Sequence, residues 1–257
     1  MSELNAEKAD YGNWVSTKFI YVPAVLTLLF GGLAFLLPAL AVVAVIFFIC
    51  SLYFAYARYA FSPRGGNIQA RVQDLVLDHV RAMGWDGVGK VLDIGCGNAP
   101  LTIQIAKSYP QAKVIGIDYW GTGWEYSKGV CEKNAEIEGV VGRVAFERAS
   151  ASSLPFDDGA FDGVVSNLVF HEVRDVRDKN KLLKEALRVV KPGGWFVFQD
   201  LFLWKQVYRQ VDDLLETVRS WGTETVEFAD TSDSDFIPTA LKLPFMLGTV
   251  GILYGRK

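Results

Sequence analysis

Residues 19–57 contain no Asp, Glu, Lys, Arg, His, Asn or Gln and are dense in Leu, Val, Phe and Ala. One straight helix over that run would reach about 60 Å, twice the hydrocarbon core of a bilayer, so two helices fit better than one. Pro38 removes an amide donor and disfavours helix at the residue before it, which places the break near residues 36–39. The expected elements are segments 19–36 and 39–57, each near the minimum for a crossing and joined by an uncharged turn: a two-helix transmembrane hairpin. Gly31 and Gly32 offer an alternative, an earlier bend that makes the hairpin shallow and re-entrant. The run is too long for a signal peptide, and no small-residue cleavage site precedes a soluble start. With two crossings both flanks lie on one side. Arg58, Arg64 and Arg71 follow the run whereas Lys8 and Lys18 alone precede it, so the positive-inside rule puts the rest of the chain in the cytoplasm and makes the lipid bilayer a partner. The expected division is an N-terminal cytoplasmic segment 1–18, the hairpin 19–57, a linker 58–66 and a soluble domain 67–257.

Within that domain, residues 90–99 read KVLDIGCGNA. Val91, Leu92 and Ile94 are strand formers, and Gly95 and Gly97 permit a tight turn and a close ligand approach that a Cβ would hinder. LTIQIAKSY at 101–109 follows with a helical apolar period, and Pro100 suits a first helical turn. Strand, glycine turn and helix are how a parallel α/β sheet makes a nucleotide-sized pocket at the carboxyl ends of its strands. AKVIGID at 112–118 is a second buried strand, ending in a carboxylate about twenty residues past the glycines. Asp118 there accepts the two hydroxyls of a ribose or caps the helix that follows, and the two roles are compatible.

The sequence resembles the class I S-adenosylmethionine-dependent methyltransferases over residues 67–257. Four signatures carry the likeness: VLDIGCGNA at 91–99, GIDYW at 116–120, LPFDDGAFDGVVS at 154–166 and LLKEALRVVKPGGWFVFQD at 182–200. The resemblance implies a Rossmann-like seven-stranded α/β sheet with helices on both faces and S-adenosylmethionine as cofactor. It places Asp93, Gly95, Cys96, Gly97, Asp118, Tyr119, Ser150, Ala151 and Asn167 around that cofactor. Gly95 and Gly97 would back its methionine part, Asp93 would orient the turn, Asp118 would bind the ribose and Tyr119 would pack near adenine. Two positions depart from the family pattern: its third glycine falls on Ala99, and the acidic residue that often meets the adenine amino group falls on Ser150.

The remaining elements follow in order. Residues 68–83 form an amphipathic helix with Val72, Leu75, Val76 and Val80 on one side. Trp120 and Trp124, just past the second strand, either pack a surface helix or wall the adenine or acceptor. Strands are expected at 144–150 and 161–167, the latter bringing Ser166 and Asn167 to the rim that holds Gly95 and Asp118. His171 and Glu172 come next. A neutral imidazole at that strand end would accept a proton from the methyl acceptor, or else His171 is a packing residue; Glu172 would hold a cationic acceptor, orient His171 or face solvent. A helix at 178–190 stops at the KPGG turn, 191–194, and is followed by a strand at 195–199 and a helix at 205–221. The last strands are expected at 224–229 and 247–254, and the resemblance implies that the latter is inserted antiparallel at the sheet edge. Between them, Phe236, Ile237, Leu241, Leu243, Phe245 and Met246 pack on the sheet or form a lid that also touches lipid.

Three scattered cysteines make no disulfide framework, two histidines make no metal cluster, and a net charge of −3 without a basic tract argues against nucleic acid. The expected function is methyl transfer by direct displacement to a small, hydrophobic or membrane-associated acceptor. The alternative is a membrane scaffold or cofactor sensor that keeps the fold without turnover.

Overall fold

The computed structural model describes residues 7–121 and 125–257, and the described chain divides into two compact units: residues 12–72, and residues 7–11 with those described from 73 to 257. Trp124 lies outside the described residues.

In the 12–72 unit, helix α1 (Lys18–Leu33) and helix α2 (Leu40–Phe61) run antiparallel. Phe19 stacks on Phe54 at 5.2 Å and Phe30 on Phe47 at 5.7 Å, while Ser51 Oγ donates to the Ile20 carbonyl at 3.0 Å. The helix ends differ from 19–36 and 39–57. Ahead of Pro38 the backbone tightens, with Phe35 N–H bonded to Gly32 O and Leu36 N–H to Leu33 O, so α1 stops early; Gly31 and Gly32 stay inside it. Among the described residues, only α2 is long and apolar enough to cross a bilayer, by length and composition. Its 22 residues give about 33 Å, against about 24 Å for the 16 residues of α1. The two spans of the sequence reading are therefore met in length by α2 alone. α2 also runs past residue 57 to Phe61, because residues 13–16 fold onto its base. Asn13 Nδ2 donates to Arg58 O at 3.0 Å, the Arg58 guanidinium donates to Val15 O, and Trp14 meets Phe61 edge-on at 5.5 Å. The outward faces are bare: Leu28, Phe35 and Leu36 are 77%, 92% and 85% exposed, an apolar patch of the kind that marks an interaction surface. Helix α3 (Ile68–Ala82) carries the chain from this unit into the other.

The second unit is a seven-stranded mixed sheet. Its strands are β1 (Gly89–Ile94), β2 (Ala112–Asp118), β3 (Val144–Arg148), β4 (Phe161–Asn167), β5 (Val190–Asp200), β6 (Thr225–Asp230) and β7 (Gly251–Arg256), in the order β3-β2-β1-β4-β5-β7-β6. β1 to β5 are mutually parallel, and β7 is antiparallel to β5 and β6. Alternation of side chains across the strands makes two cores. Leu92, Ile94, Val164, Phe196 and Phe198 pack with α6 (Asn180–Arg188) and α8 (Val211–Arg219). Val91, Val114, Val165, Trp195 and Val197 pack with α3, α4 (Pro100–Ser108) and α5 (Lys128–Ile137).

Three expectations are corrected. The strand expected from residue 247 is inserted antiparallel, as the family pattern implies, but it is β7, which starts at Gly251 and lies between β5 and β6, so β6 takes the edge. The KPGG stretch belongs to β5: Phe161 pairs with Val190 and Gly163 with Trp195, which leaves a bulge, and Gly193 N–H reaches Lys257 O at 2.5 Å. The helix expected at 205–221 is two, α7 (Lys205–Tyr208) and α8, because Arg209 adopts φ +62°.

Candidate active site

The carboxyl ends of β1, β2, β4 and β5 form one rim. In the turn after β1, Gly95 and Gly97 have φ +74° and +57°, and the Gly95 and Cys96 N–H groups both bond Ile117 O, at 2.7 and 2.9 Å. The two glycines answer different needs. A Cβ on Gly95 would lie 2.1 Å from Val169 Cγ2, so the space behind that residue is taken by the turn after β4. At Gly97 the nearest atoms to a Cβ are those of the Tyr126 ring at 3.6 Å, which leaves room for a ligand against the backbone. Asp118 ties the turn to β2: Oδ2 accepts from Gly97 N–H at 3.0 Å and Oδ1 from Trp120 N–H at 2.7 Å. Burial raises its pKa and these backbone donors oppose that. It caps no helix, since α5 begins at Lys128 with Ser127 as its cap. Each carboxylate oxygen keeps a lone pair, so the group can still accept from ribose hydroxyls.

Asp93 is 1% exposed and accepts from Thr102 Oγ1 at 2.6 Å, which fixes α4 beneath the turn. Burial pushes its pKa up to about 7, against the Thr102 bonds. Burial and the neighbouring Cys131 raise the Cys96 thiol well above its usual value, so it is a packing group. Tyr119 is 62% exposed, with the Arg148 guanidinium 4.9 Å above its ring. Ser150 lies within hydrogen-bond distance of Ser152, Oγ to Oγ 2.8 Å, and Ser152 Oγ donates to Asp175 at 2.7 Å, with Ala151 buried between the serines. A carboxylate thus stands one hydroxyl away from Ser150, supplied by a loop that sequence spacing does not connect to it.

Further along the rim, Asn167 and Gln199 are register partners on β4 and β5. Gln199 is fully buried, yet neither of its amide atoms has a partner, and Asn167 Oδ1 has none. His171 sits in a 3-10 turn, Phe170–Glu172, pinned by the buried Asp200 at the end of β5. Asp200 accepts from His171 Nδ1 at 2.6 Å, Phe170 N–H at 2.7 Å and Leu201 N–H at 2.6 Å. His171 Nε2 stands 3.5 Å from Glu172 Oε1. Burial pulls the imidazole pKa down, but the Asp200 carboxylate, helped by Glu172, pushes it up to about 10. This arrangement favours the imidazolium at neutral pH over the neutral ring that a proton acceptor would need. Glu172 is held below the usual carboxylate range, first by its hydrogen bond to His171. Asp200 and Gln199 were not singled out in the sequence, although a carboxylate at a strand's carboxyl end is the signal that marked Asp118. Register brings Asp230 and Gly251 level with Asp200, so residues 231–250 leave from this rim. Ile237 and Leu241 are buried there, and Leu243 and Phe245 are 37% and 50% exposed.

Comparison with known proteins agrees with this geometry. A family profile described as a methyltransferase domain matches residues 92–198. The chain is 31% identical over 159 residues to a protein of Geobacter sp. (strain M21) named ubiquinone/menaquinone biosynthesis C-methyltransferase UbiE, covering 54% of this chain and 65% of that one. It is 34% identical over 108 residues to a demethylmenaquinone methyltransferase of Thermus thermophilus, covering 42% and 45%. The chain thus spans less than two thirds of the length of these relatives. Among solved structures, the [4+2]-cyclase SpnF aligns at 22% identity and TM-score 0.54, over 73% of this chain and 80% of that one. A SAM-dependent methyltransferase from Aquifex aeolicus aligns at 17% and 0.50, over 72% and 96%. Both likenesses concern the fold alone. The glycine turn and Asp118 thus lie within residues 92–198, which match a methyltransferase-domain profile, on a sheet with the class I methyltransferase fold.

Proposed function

We propose that the protein is a membrane-anchored methyltransferase that methylates a lipid-soluble, quinone-like acceptor. In this reading residues 19–57 hold the protein in the bilayer, 58–66 link the hairpin to the domain, and 67–257 work on the cytoplasmic side. The observation that carries it is the coexistence, in one chain, of the Asp118-closed glycine turn and a bare apolar helix pair, in a sequence similar to proteins named for ubiquinone and menaquinone biosynthesis. The cofactor supplies a methyl group already activated by its sulfonium, so the protein's work is binding, alignment and charge control. Gly97 and Asp118 take the cofactor, with Asp93, Gly95 and Cys96 shaping the turn and Tyr119, Ser150 and Ala151 at the adenine end. Asn167 and Gln199 offer carboxamides between cofactor and acceptor. His171, held by Asp200 through Nδ1, orients an acceptor oxygen from Nε2; the acceptor's electron pair takes the methyl as the sulfur–methyl bond breaks, S-adenosylhomocysteine leaves, and the proton the acceptor gives up passes to Glu172 or to water.

The test is methyl transfer from labelled S-adenosylmethionine in membranes containing the full-length protein, with demethylated quinone added. Label should enter the organic phase with the quinone. Label confined to water-soluble products refutes the acceptor class, and cofactor binding without any transfer favours the scaffold reading. Alkaline carbonate should leave the protein in the membrane pellet; release into the supernatant refutes the integral anchor. Protease added outside intact cells should spare residues 67–257, and digestion there reverses the orientation.

A further inference from the structure

Residues 7–11 lie on the same unit as the sheet, against α5 and the glycine turn. The contact is a clamp built from two buried asparagines, Asn98 at 2% exposure and Asn134 at 1%. Asn134 Oδ1 accepts the Asp10 N–H at 2.8 Å, and Asn134 Nδ2 donates to Asp10 O at 2.8 Å and to Asn98 O at 3.0 Å. Asn98 Nδ2 donates to Asp10 O at 3.2 Å, and Asn98 Oδ1 accepts the Ser127 N–H that opens α5 at 3.2 Å. Tyr11 closes the segment, its hydroxyl donating to Glu138 at 3.1 Å while the ring packs on the core beneath α5. The Asn134 amide thus grips both backbone polar groups of Asp10 and, through the same nitrogen, the carbonyl of the residue that follows Gly97.

We propose that Asn98 and Asn134 are positioning residues that make cofactor affinity depend on the docked N-terminal segment. The glycine turn must present Gly97 to the ligand with φ positive, a conformation that a free loop samples among many. Bonding the Asn98 carbonyl to Asn134, and the Asn98 side chain to an Asp10 peptide that Asn134 also holds, removes that freedom before the ligand arrives, and preorganisation of this kind appears as affinity. Coupling between two binding events is reciprocal, so the ligand must tighten the segment by the factor through which the segment tightens the ligand. The proposal rests on the glycine turn being the cofactor's cradle.

The experiment uses the full-length protein in detergent micelles and S-adenosylmethionine as probe, with affinity from titration calorimetry and amide hydrogen exchange read over residues 7–11. Deletion of residues 2–10 should weaken binding about tenfold, and Asn134→Leu should do the same. Lys133→Ala, which removes only the surface pair with Glu7, should leave affinity unchanged. In the wild type, saturating S-adenosylmethionine should slow exchange at the Asp10 amide by a similar factor, a response that a merely structural clamp would not give. If Asn134→Leu fails to fold, the deletion and the wild-type exchange measurement still decide. Equal affinity in the deletion variant, or exchange at Asp10 indifferent to the ligand, overturns the proposal. A wild type that binds no S-adenosylmethionine overturns the cofactor assignment itself, which is a separate result.

Discussion

Gly95→Ala tests whether the glycine turn after β1 and the turn after β4 are packed as one object. The new Cβ would lie 2.1 Å from Val169 Cγ2, 2.6 Å from Cγ1 and 2.9 Å from Val169 Cβ, so no rotation of the valine escapes it. The backbone at φ +74° adds about 1–2 kcal/mol for any residue with a Cβ, and overpacking of this sort costs about 1–3 kcal/mol. Together they predict a loss of about 2–5 kcal/mol, hence a fall in melting temperature on the order of 10 °C for a unit of this size. Relief requires Val169 to move, and it can move only with the turn that carries His171. Val169→Ala alone removes two methyl groups from a half-buried position and should cost about 1 kcal/mol. In the double variant the contacts at 2.1 and 2.6 Å vanish and the backbone cost remains, so the pair should show a favourable coupling of about 1–3 kcal/mol. Thermal unfolding of the four proteins, followed by tryptophan fluorescence in one detergent, reads the cycle. Strict additivity would refute the reasoning, because it would mean that the two turns relax independently.

His171 should titrate far above an ordinary histidine. Its folded pKa is raised from 6.5 to about 10, so the stabilisation from the Asp200 pairing is fully present below pH 6.5 and disappears as pH rises through 10. The chain has two histidines, so ring NMR with His171→Asn for assignment isolates the signal; a midpoint near 6.5 would remove the imidazolium. Asp118→Ala should abolish measurable S-adenosylmethionine binding by calorimetry while the protein stays folded, since it strips two ribose acceptors and frees the Gly97 N–H; unchanged affinity would sink that role. Gln199→Leu should raise the melting temperature, because a buried unpaired amide costs about 1–3 kcal/mol, and should lower kcat/KM for the acceptor with cofactor affinity intact. A lower melting temperature would show that the amide is satisfied in solution.

What was legible in the sequence was what local composition controls. β2 and β4 occupy residues 112–118 and 161–167 as read, because each centres on a short apolar run, VIGI at 114–117 and GVV at 163–165, and ends in a carboxylate or an amide. The glycine turn was legible as a turn, but the reason for Gly95 was not, since Val169 lies 74 positions downstream (169 − 95) and meets it only across the sheet. KPGG reads locally as a helix stop; pairing with Phe161 and Lys257 makes it the start of a bulged strand. Asp200 was invisible as a partner of His171 for the same reason, the two being 29 positions apart on neighbouring strand ends. The length of α1 turned on how the backbone tightens before Pro38, a matter of a few hydrogen bonds that composition does not resolve.

The place of β7 governs how the chain must be assembled as it is made. β6 touches the sheet only through β7, and β7 follows every other strand in the sequence. During synthesis, then, β5 waits as an open edge, with Phe196 and Phe198 committed to a core and no neighbour on one flank, until the last strand slides between it and β6. An open edge beside aromatic side chains is where a foreign strand can pair instead. Lys257 then fastens the closure: its backbone N–H bonds Gly194 O at 2.9 Å and its ammonium reaches Arg188 O and Val190 O at 3.0 and 2.9 Å. Substitutions that slow the insertion of β7 should therefore lower the yield of folded protein well before they lower the stability of the molecules that finish folding.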